Sequence, residues 1–513
     1  MLEYTPAMLQ TINYYFYLGE IMSSSISIIF AFAIYLAAML AIGWRTSKKT
    51  SDAKDFFIGA RGTGPWITAL SAEASDMSGW LLMGLPGVAY LGGMKEAFWT
   101  AVGLTIGTYL NWFFVAKRLR KYTIHAGDAI TIPEFFTNRF KDKSRLLALV
   151  SVIFILIFFT IYTASGFMAC ADLFSSVFGM DYFYALLLGA FIVLAYTVMG
   201  GYLAVCSTDF VQGSLMFAAL LITAIIGILS MGGVSGVVDK VGIDALNPFH
   251  NNPEQPFGAM DIISALSWGL GYFGMPHILV RFMGLRSNHD VKASRRIAMV
   301  WVVFAFLGAL LVGVLGRGYL ASPLAEGAHE TVFIVTLMQM YPAFIAGLFL
   351  CGILAAAMST ADSQLLVAAS AFSRDIYMGF LNKKADEKQM LLMSRFVVFA
   401  VAAIAIFLAS NRNSSIFNMV SYAWAGFGAT FGPLVLLSLF WKKVTRNGAL
   451  AGLIVGGITV IVWKHLHGGI FELYELAPGF AACLIIAVLV SLLDTRNDPE
   501  VEAEYEAYTK LGD

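Results

Sequence analysis

Inside one long apolar block the chain reads Ser71-Ala-Glu-Ala-Ser-Asp-Met-Ser-Gly-Trp80, so Glu73 and Asp76 stand among small residues, with Pro86 following. A second apolar block is broken by Trp268-Gly-Leu-Gly-Tyr-Phe-Gly-Met-Pro-His277. A third, Ala355-Ala-Ala-Met-Ser-Thr-Ala-Asp-Ser363, sets the hydroxyls of Ser359 and Thr360 side by side near Asp362. Carbonyls freed at such breaks, hydroxyls and carboxylates are oxygen ligands, the set a hard cation takes. A carboxylate near the middle of a membrane costs roughly 2.5–3.5 kcal/mol on insertion scales, so it needs a partner or a bound cation. The segment around Asp76 offers no Lys or Arg. A cation site is the favoured account of Asp76, against a buried protonated carboxyl with a structural role. Ser and Thr in membrane helices ordinarily bond back to their own helix, and Asp362 is what lifts Ser359 and Thr360 above that reading.

Such residues need elements that cross a membrane to hold them. Hydrophobic residues make up 59% of the 513 and charged residues 13%, where a soluble protein carries about 25% charged. The apolar blocks, of about 20 residues, suit helices through a ~30 Å hydrocarbon core. They are not the alternating segments of about 10 residues that build an outer-membrane barrel. A net charge of zero gives no pull toward nucleic acid. Cys170, Cys206, Cys351 and Cys483 stand singly, which suggests neither a disulfide framework nor a cysteine metal site. Residues 1–22 carry Glu3 and Glu20 and no Lys or Arg, unlike the start of a signal peptide, so the first apolar block is expected to stay.

Thirteen helices are predicted, near 23–44, 66–90, 97–116, 146–176, 182–199, 209–231, 259–282, 297–320, 333–372, 392–410, 416–441, 447–466 and 472–493. The ninth is too long for one span, and Pro342 is expected to divide it. Twenty-eight of the 33 Lys and Arg then fall in one alternate set of loops plus the C-terminal tail. That set holds Arg45 to Arg61, Lys117 to Arg145, Arg281 to Arg296, Arg374 to Arg395, Lys442 to Arg446, and Arg496 with Lys510. Only Lys95, Lys240, Arg317, Arg412 and Lys464 lie elsewhere. The positive-inside rule places the N-terminus outside and the C-terminus in the cytoplasm. The acidic tail from about 494 reads as solvated. The two broken spans, the second and seventh, lie five apart, as two five-helix halves in inverted repeat require. A single Gly-rich span reads as helix packing through small residues. Interrupted spans at matched positions point to a transporter's binding site.

At these motifs the chain resembles the sodium/solute symporter family, and within it the sodium/proline symporters. The likeness runs collinearly from about residue 25 to 490. It is carried by Ser71 to Gly87, Thr160 to Gly166, Trp268 to His277, Met358 to Thr360 and Val420 to Pro433. It implies an all-α membrane protein of LeuT-like fold with about 13 transmembrane helices in one domain. An accessory helix and loop would occupy 23–64, inverted repeats 65–231 and 258–441, accessory helices 442–493, and a cytoplasmic tail 494–513. Sodium would be held by the carbonyls of Ala74, Met77 and Ala356 and the hydroxyls of Ser359 and Thr360. The resemblance gives Asp76, Ser78, Gly79, Asp209 and Arg61 to sodium coupling, and Tyr162, Trp268, Tyr272 and Pro276 to contact with L-proline. Two residues depart from the family pattern. Glu73 stands where the best-known members have a small residue, and Asp362 where they have Ser. With Asp209 they could form an extra cation or proton site; the plainer reading is hydrogen bonds or salt bridges within a cytoplasmic cavity.

The implied function is import of L-proline by alternating access, driven by the sodium electrochemical gradient in a bacterial inner membrane. The implied partners are proline, sodium and the bilayer, with no cofactor, nucleic acid or obligatory protein partner. Aromatic walls suit the proline ring and can attract its ammonium face. The alternative is the same carrier for another small carboxylate, or with proton coupling. A membrane sensor would need a long soluble signalling domain. Seven His, none paired within a span, give no haem site, and a hydrolase would need a base beside a nucleophile where only His277 lies in the motifs. The chain is not expected to be an enzyme.

Overall fold

The computed structural model describes residues 6–47, 53–197, 201–250, 257–412, 414–494 and 499–510, and among these it is helical with no strand. Its first helices are α1 Pro6–Ser47, α2 Ala53–Ile58, α3 Pro65–Gly79, α4 Leu85–Gly92, α5 Met94–Leu110, α6 Ala116–His125 and α7 Ile132–Arg139. Then come α8 Leu146–Phe178, α9 Tyr182–Thr197, α10 Tyr202–Ser230, α11 Gly233–Val241, α12 Ile243–Leu246, α13 Ala259–Ser267 and α14 Pro276–Gly284. The rest are α15 Val291–Tyr319, α16 Val332–Met340, α17 Ala343–Ser370, α18 Glu387–Ala409, α19 Ile416–Phe440, α20 Arg446–Trp463, α21 Leu476–Leu493 and α22 Pro499–Lys510.

Nine of the described helices are long and apolar enough to cross a membrane, and α13 with α14, bent by 44°, makes a tenth. These correspond to ten of the thirteen predicted spans. The other three fall short for physical reasons. The spans near 66–90 and 97–116 are interrupted by wide π-type turns at Trp80–Gly84 and Asn111–Val115. The predicted 182–199 is apolar only over Tyr182–Ala195, and its last two residues lie outside the described ones. Pro342 does divide the ninth span: α16 ends at Met340 and α17 starts at Ala343. Two predicted starts are late, since α10 begins at Tyr202 and α15 at Val291.

The apolar windows of α19 and α17 are 83% and 78% buried, against 33% for those of α1, α18 and α21. The first two therefore form the core that positions the broken helices, and the others face lipid.

One end of the bundle collects the basic loops, as the charge pattern requires. Arg374 pairs with Glu134 at 3.2 Å and Arg446 with Asp142 at 2.9 Å. Lys48, Lys49 and Arg496 of that set lie outside the described residues, as does the side chain of Lys54. Two members are not solvated charges. Arg139 and Arg281 are fully buried, Arg281 within α14.

The tail also departs from expectation. Residues 499–510 form α22, which docks on the basic end. Tyr508 stacks flat on Tyr122 with ring centroids 4.0 Å apart, and Arg139 donates to the Val501 carbonyl at 3.1 Å. Glu504 sits 2.8 Å from Lys141, and Glu506 sits 3.1 Å from Lys442. Exposed ion pairs contribute little, about 0–1 kcal/mol each, so the buried Tyr508 and Val501 anchor the helix. Tyr508→Ala is expected to free it: hydrogen-exchange protection of the α22 amides should fall at least tenfold, about 1.4 kcal/mol of local opening. Unchanged protection would assign the docking to the ion pairs.

Candidate functional site

The break in α3 occurs at Ser78, a non-glycine residue at φ 43°, ψ −171°. A conformation so sparsely populated costs of order 1–3 kcal/mol and persists only where the surroundings impose it. Here the Ser78 hydroxyl accepts from the Trp80 N–H at 3.1 Å, which steadies the turn. Gly79 follows because α8 passes so close that a Cβ there would lie 2.6 Å from the Ala169 methyl. The partner break runs through a tight 3₁₀ turn at Trp268–Phe273, then Gly274 and Met275, before Pro276 restarts the helix as α14.

The two breaks meet. Tyr272 donates its hydroxyl to Asp76 Oδ2 at 2.7 Å, and Tyr162 of α8 donates to the Asp76 carbonyl at 2.8 Å. Asp76 Oδ1 is buried without a partner. Above Tyr272 the Trp268 ring lies against Trp80, Phe417 and Tyr474, with centroids 5.2–5.3 Å away. This aromatic floor closes a vestibule of about 530 Å³ that opens at the end opposite the basic loops, between Lys95 and Lys464. Pro276 is buried four residues past Tyr272. Of the four predicted substrate contacts, Trp268 lines the vestibule, Tyr162 and Tyr272 are joined through Asp76, and Pro276 is buried at the start of α14.

Beside the break, Ser359 of α17 donates to the Ala74 carbonyl at 2.8 Å and to the Ala356 carbonyl at 3.3 Å. Thr360 Oγ1 is buried with no partner. Three of the five predicted sodium ligands are thus in direct contact and a fourth is an unused oxygen. The Met77 carbonyl already accepts from the Trp80 N–H. The donor set is oxygen throughout and fits a hard cation.

The remaining predicted residues lie apart. Glu73 accepts from the Trp112 indole at 3.1 Å, on the side of α3 away from Ser71, and its other oxygen has no partner. Asp209 accepts from Ser71 at 2.6 Å and from Arg281 at 3.3 Å, and Arg281 also donates to Ser363, which bonds Asp362. Glu73 is therefore not in a cluster with Asp209 and Asp362. Arg281 is the residue that sequence reasoning missed, because it was counted among the loop charges.

Arg61 forms a latch at the basic end. Following Ala60 and itself at φ 46° and 56°, it bonds Asp128 at 3.0 Å, the Met283 carbonyl at 2.6 Å and the Ala129 carbonyl at 2.8 Å. Thr63 pairs with the Gly284–Arg286 backbone beside it. Arg286 in turn hydrogen-bonds Asp290 and holds that carboxyl below its ordinary range. The vestibule and the Arg61 latch thus lie at opposite ends of the bundle.

A model of the sodium:solute symporter family matches residues 56–456. The chain belongs to the sodium:solute symporter family. An osmoregulated proline transporter of Bacillus subtilis is 46% identical over 92% of this chain and 96% of its own length. A sodium/proline symporter of Escherichia coli is 47% identical over 92% and 94%. Among solved structures, a Na⁺-coupled sialic acid symporter in a substrate-bound outward-open state matches with a TM-score of 0.75 at 22% identity, over 91% of this chain and 98% of that one. A nucleobase-cation-symport-1 family transporter in a closed conformation matches with a TM-score of 0.54 at 12% identity, covering 88% of this chain and 98% of that chain. The fold of this symporter-family chain is LeuT-like. The chain is a multi-pass membrane transporter and not an enzyme.

Proposed function

We propose that the chain is a sodium-coupled symporter importing L-proline across the bacterial inner membrane, with its N-terminus outside and C-terminus in the cytoplasm. The observation that carries this reading is the junction of the two broken helices, where Tyr272 holds Asp76 beneath the Trp268 floor. The names of relatives 43–47% identical, proline transporters and sodium/proline symporters, support the substrate and the ion. Residues 65–231 and 258–441 act as the two inverted halves.

Sodium binds first, to the carbonyls of Ala74, Met77 and Ala356 and the hydroxyls of Ser359 and Thr360. It ties the broken α3 to α17, and Asp76, Ser78 and Gly79 shape that edge. Proline then settles between Tyr162, Trp268, Tyr272 and Pro276, its ring on aromatic faces. With the basic end in the cytoplasm, the vestibule opens outward and the Arg61 latch closes the inner side. Release of that latch lets the loaded site face inward.

One charge moving through ~150 mV gives about 3.4 kcal/mol, and a tenfold sodium gradient about 1.4 more. Together they sustain a proline ratio on the order of 10³–10⁴ at one sodium per proline. Proteoliposomes with an inward sodium gradient are expected to accumulate labelled proline, and those with potassium are not. Uptake that follows an imposed proton gradient in potassium, or that another small carboxylate outcompetes, would replace this reading with its alternative.

A further inference from the structure

Where α5 runs into α6, the wide π-type turn at Asn111–Val115 buries Asn111 and Trp112 and leaves Phe113 and Phe114 exposed side by side. From there a strip of exposed rings continues in both directions. Tyr109 stacks on Phe113 with centroids 5.8 Å apart, Phe113 meets Phe114 at 4.9 Å, and Phe114 meets Phe440 of α19 at 6.3 Å. A guanidinium closes each end. Arg295 of α15 lies 5.3 and 4.9 Å from the centroids of Tyr109 and Phe113, and Arg118 of α6 lies 4.7 Å from that of Phe440. Beside Arg295, Lys292 and Arg296 are exposed on a face of α15 that continues as Val300, Val303, Phe304 and Leu307. Elsewhere at this end, cations such as Arg374 and Arg446 are paired with carboxylates. Arg118, Lys292, Arg295 and Arg296 have no carboxylate partner among the described residues, and Arg118 donates only to the Phe114 carbonyl, at 3.2 Å.

A belt of aromatic rings marks the headgroup level of a membrane. A guanidinium laid on such a ring keeps its planar fork of N–H donors free at the edge, and that fork matches a phosphate. We propose that this flank holds an anionic phospholipid, its phosphate held by Arg295, Arg296 and Lys292 and an acyl chain lying along the apolar face of α15. A free phosphate shares the headgroup chemistry but has no use for the apolar face that runs from it, and that face commits the site to a lipid. Through Gly103 and Gly107, α5 also backs the turn bearing Trp268 and Tyr272. A lipid that ties α15 to α5 therefore steadies the support of that turn. The inference goes beyond the transport reading and uses neither the substrate nor the coupling ion.

The test is the melting temperature of purified protein in phosphatidylcholine-containing micelles as phosphatidylglycerol is titrated in. Wild type is expected to be stabilised saturably, with an apparent affinity that weakens as salt is raised. Arg295→Gln with Arg296→Gln should weaken that affinity about thirtyfold, roughly fivefold for each cation removed. Lys383→Gln with Lys384→Gln, which removes two exposed cations ahead of α18, should leave it unchanged. Lys292 and Arg296 are both exposed, so Lys292→Gln with Arg296→Gln, with the same expected loss, takes the place of the first pair if that variant does not accumulate. An equal loss in the Lys383 and Lys384 variant would reduce the effect to general surface charge and overturn the inference. No stabilisation of wild type by phosphatidylglycerol would overturn it too. Glycerol phosphate without acyl chains is expected to do nothing; stabilisation equal to that of the lipid would make this a soluble-anion site and remove the lipid.

Discussion

Asp76→Asn is expected to lower sodium-driven uptake by roughly 10²–10³-fold while leaving the protein folded. Asparagine keeps the size of the side chain and an oxygen for the Tyr272 hydroxyl, now 2.7 Å from Asp76 Oδ2. What it removes is the one formal charge at the junction of the breaks. A unit charge about 4 Å from a cation contributes about 4 kcal/mol at an effective dielectric of 20, which converts to that loss. The measurement is initial uptake in proteoliposomes under an imposed sodium gradient, with yield and melting temperature as controls. Undiminished uptake would move the ion site away from the α3 break altogether.

The second large effect is steric. Gly107 of α5 packs against the 3₁₀ turn so closely that a Cβ there would lie 2.6 Å from Gly269 Cα and nearer still to its carbonyl. Gly103, one turn earlier, would place its own Cβ 2.7 Å from Leu266 Cα. Those are backbone atoms and cannot rotate away. Gly107→Val must push the turn bearing Trp268 and Tyr272 off α5, at a cost of about 2–3 kcal/mol for overpacking. Displacing a binding group by an ångström can cost about a hundredfold, so uptake should fall by that order, with Gly107→Ala intermediate. Near-normal uptake in the valine variant would mean that α5 does not set the position of the turn.

The breaks themselves were legible because their signals are local. Polar and small residues at 71–79, and glycines with a proline at 269–276, interrupt apolar runs wherever they occur. The Arg281 network was not legible, since its burial depends on Asp209 and Asp362, which are 72 and 81 positions away and have no periodic mark. Position 281 also sits in the last turn of α14, where a basic residue reads as the start of a loop. The docked tail lies between these cases. Val501, Tyr505 and Tyr508 fall at i, i+4 and i+7, an apolar stripe in plain sight. The run of glutamates at alternate positions outweighed it, because their lysine partners, Lys141 and Lys442, come from the segments after α7 and after α19.

The contact between Arg139 and Val501 spans 362 residues of chain. At ribosomal speeds of roughly 5–20 residues per second, the guanidinium waits about 20–70 s for the carbonyl that completes its surroundings. During that interval Phe140, whose ring lies 5.1 Å from it, is the aromatic face nearest in sequence. The rim at the basic end is thus completed only after α22 is made, and a nascent chain halted before α22 would carry all its broken helices yet leave that rim unfinished.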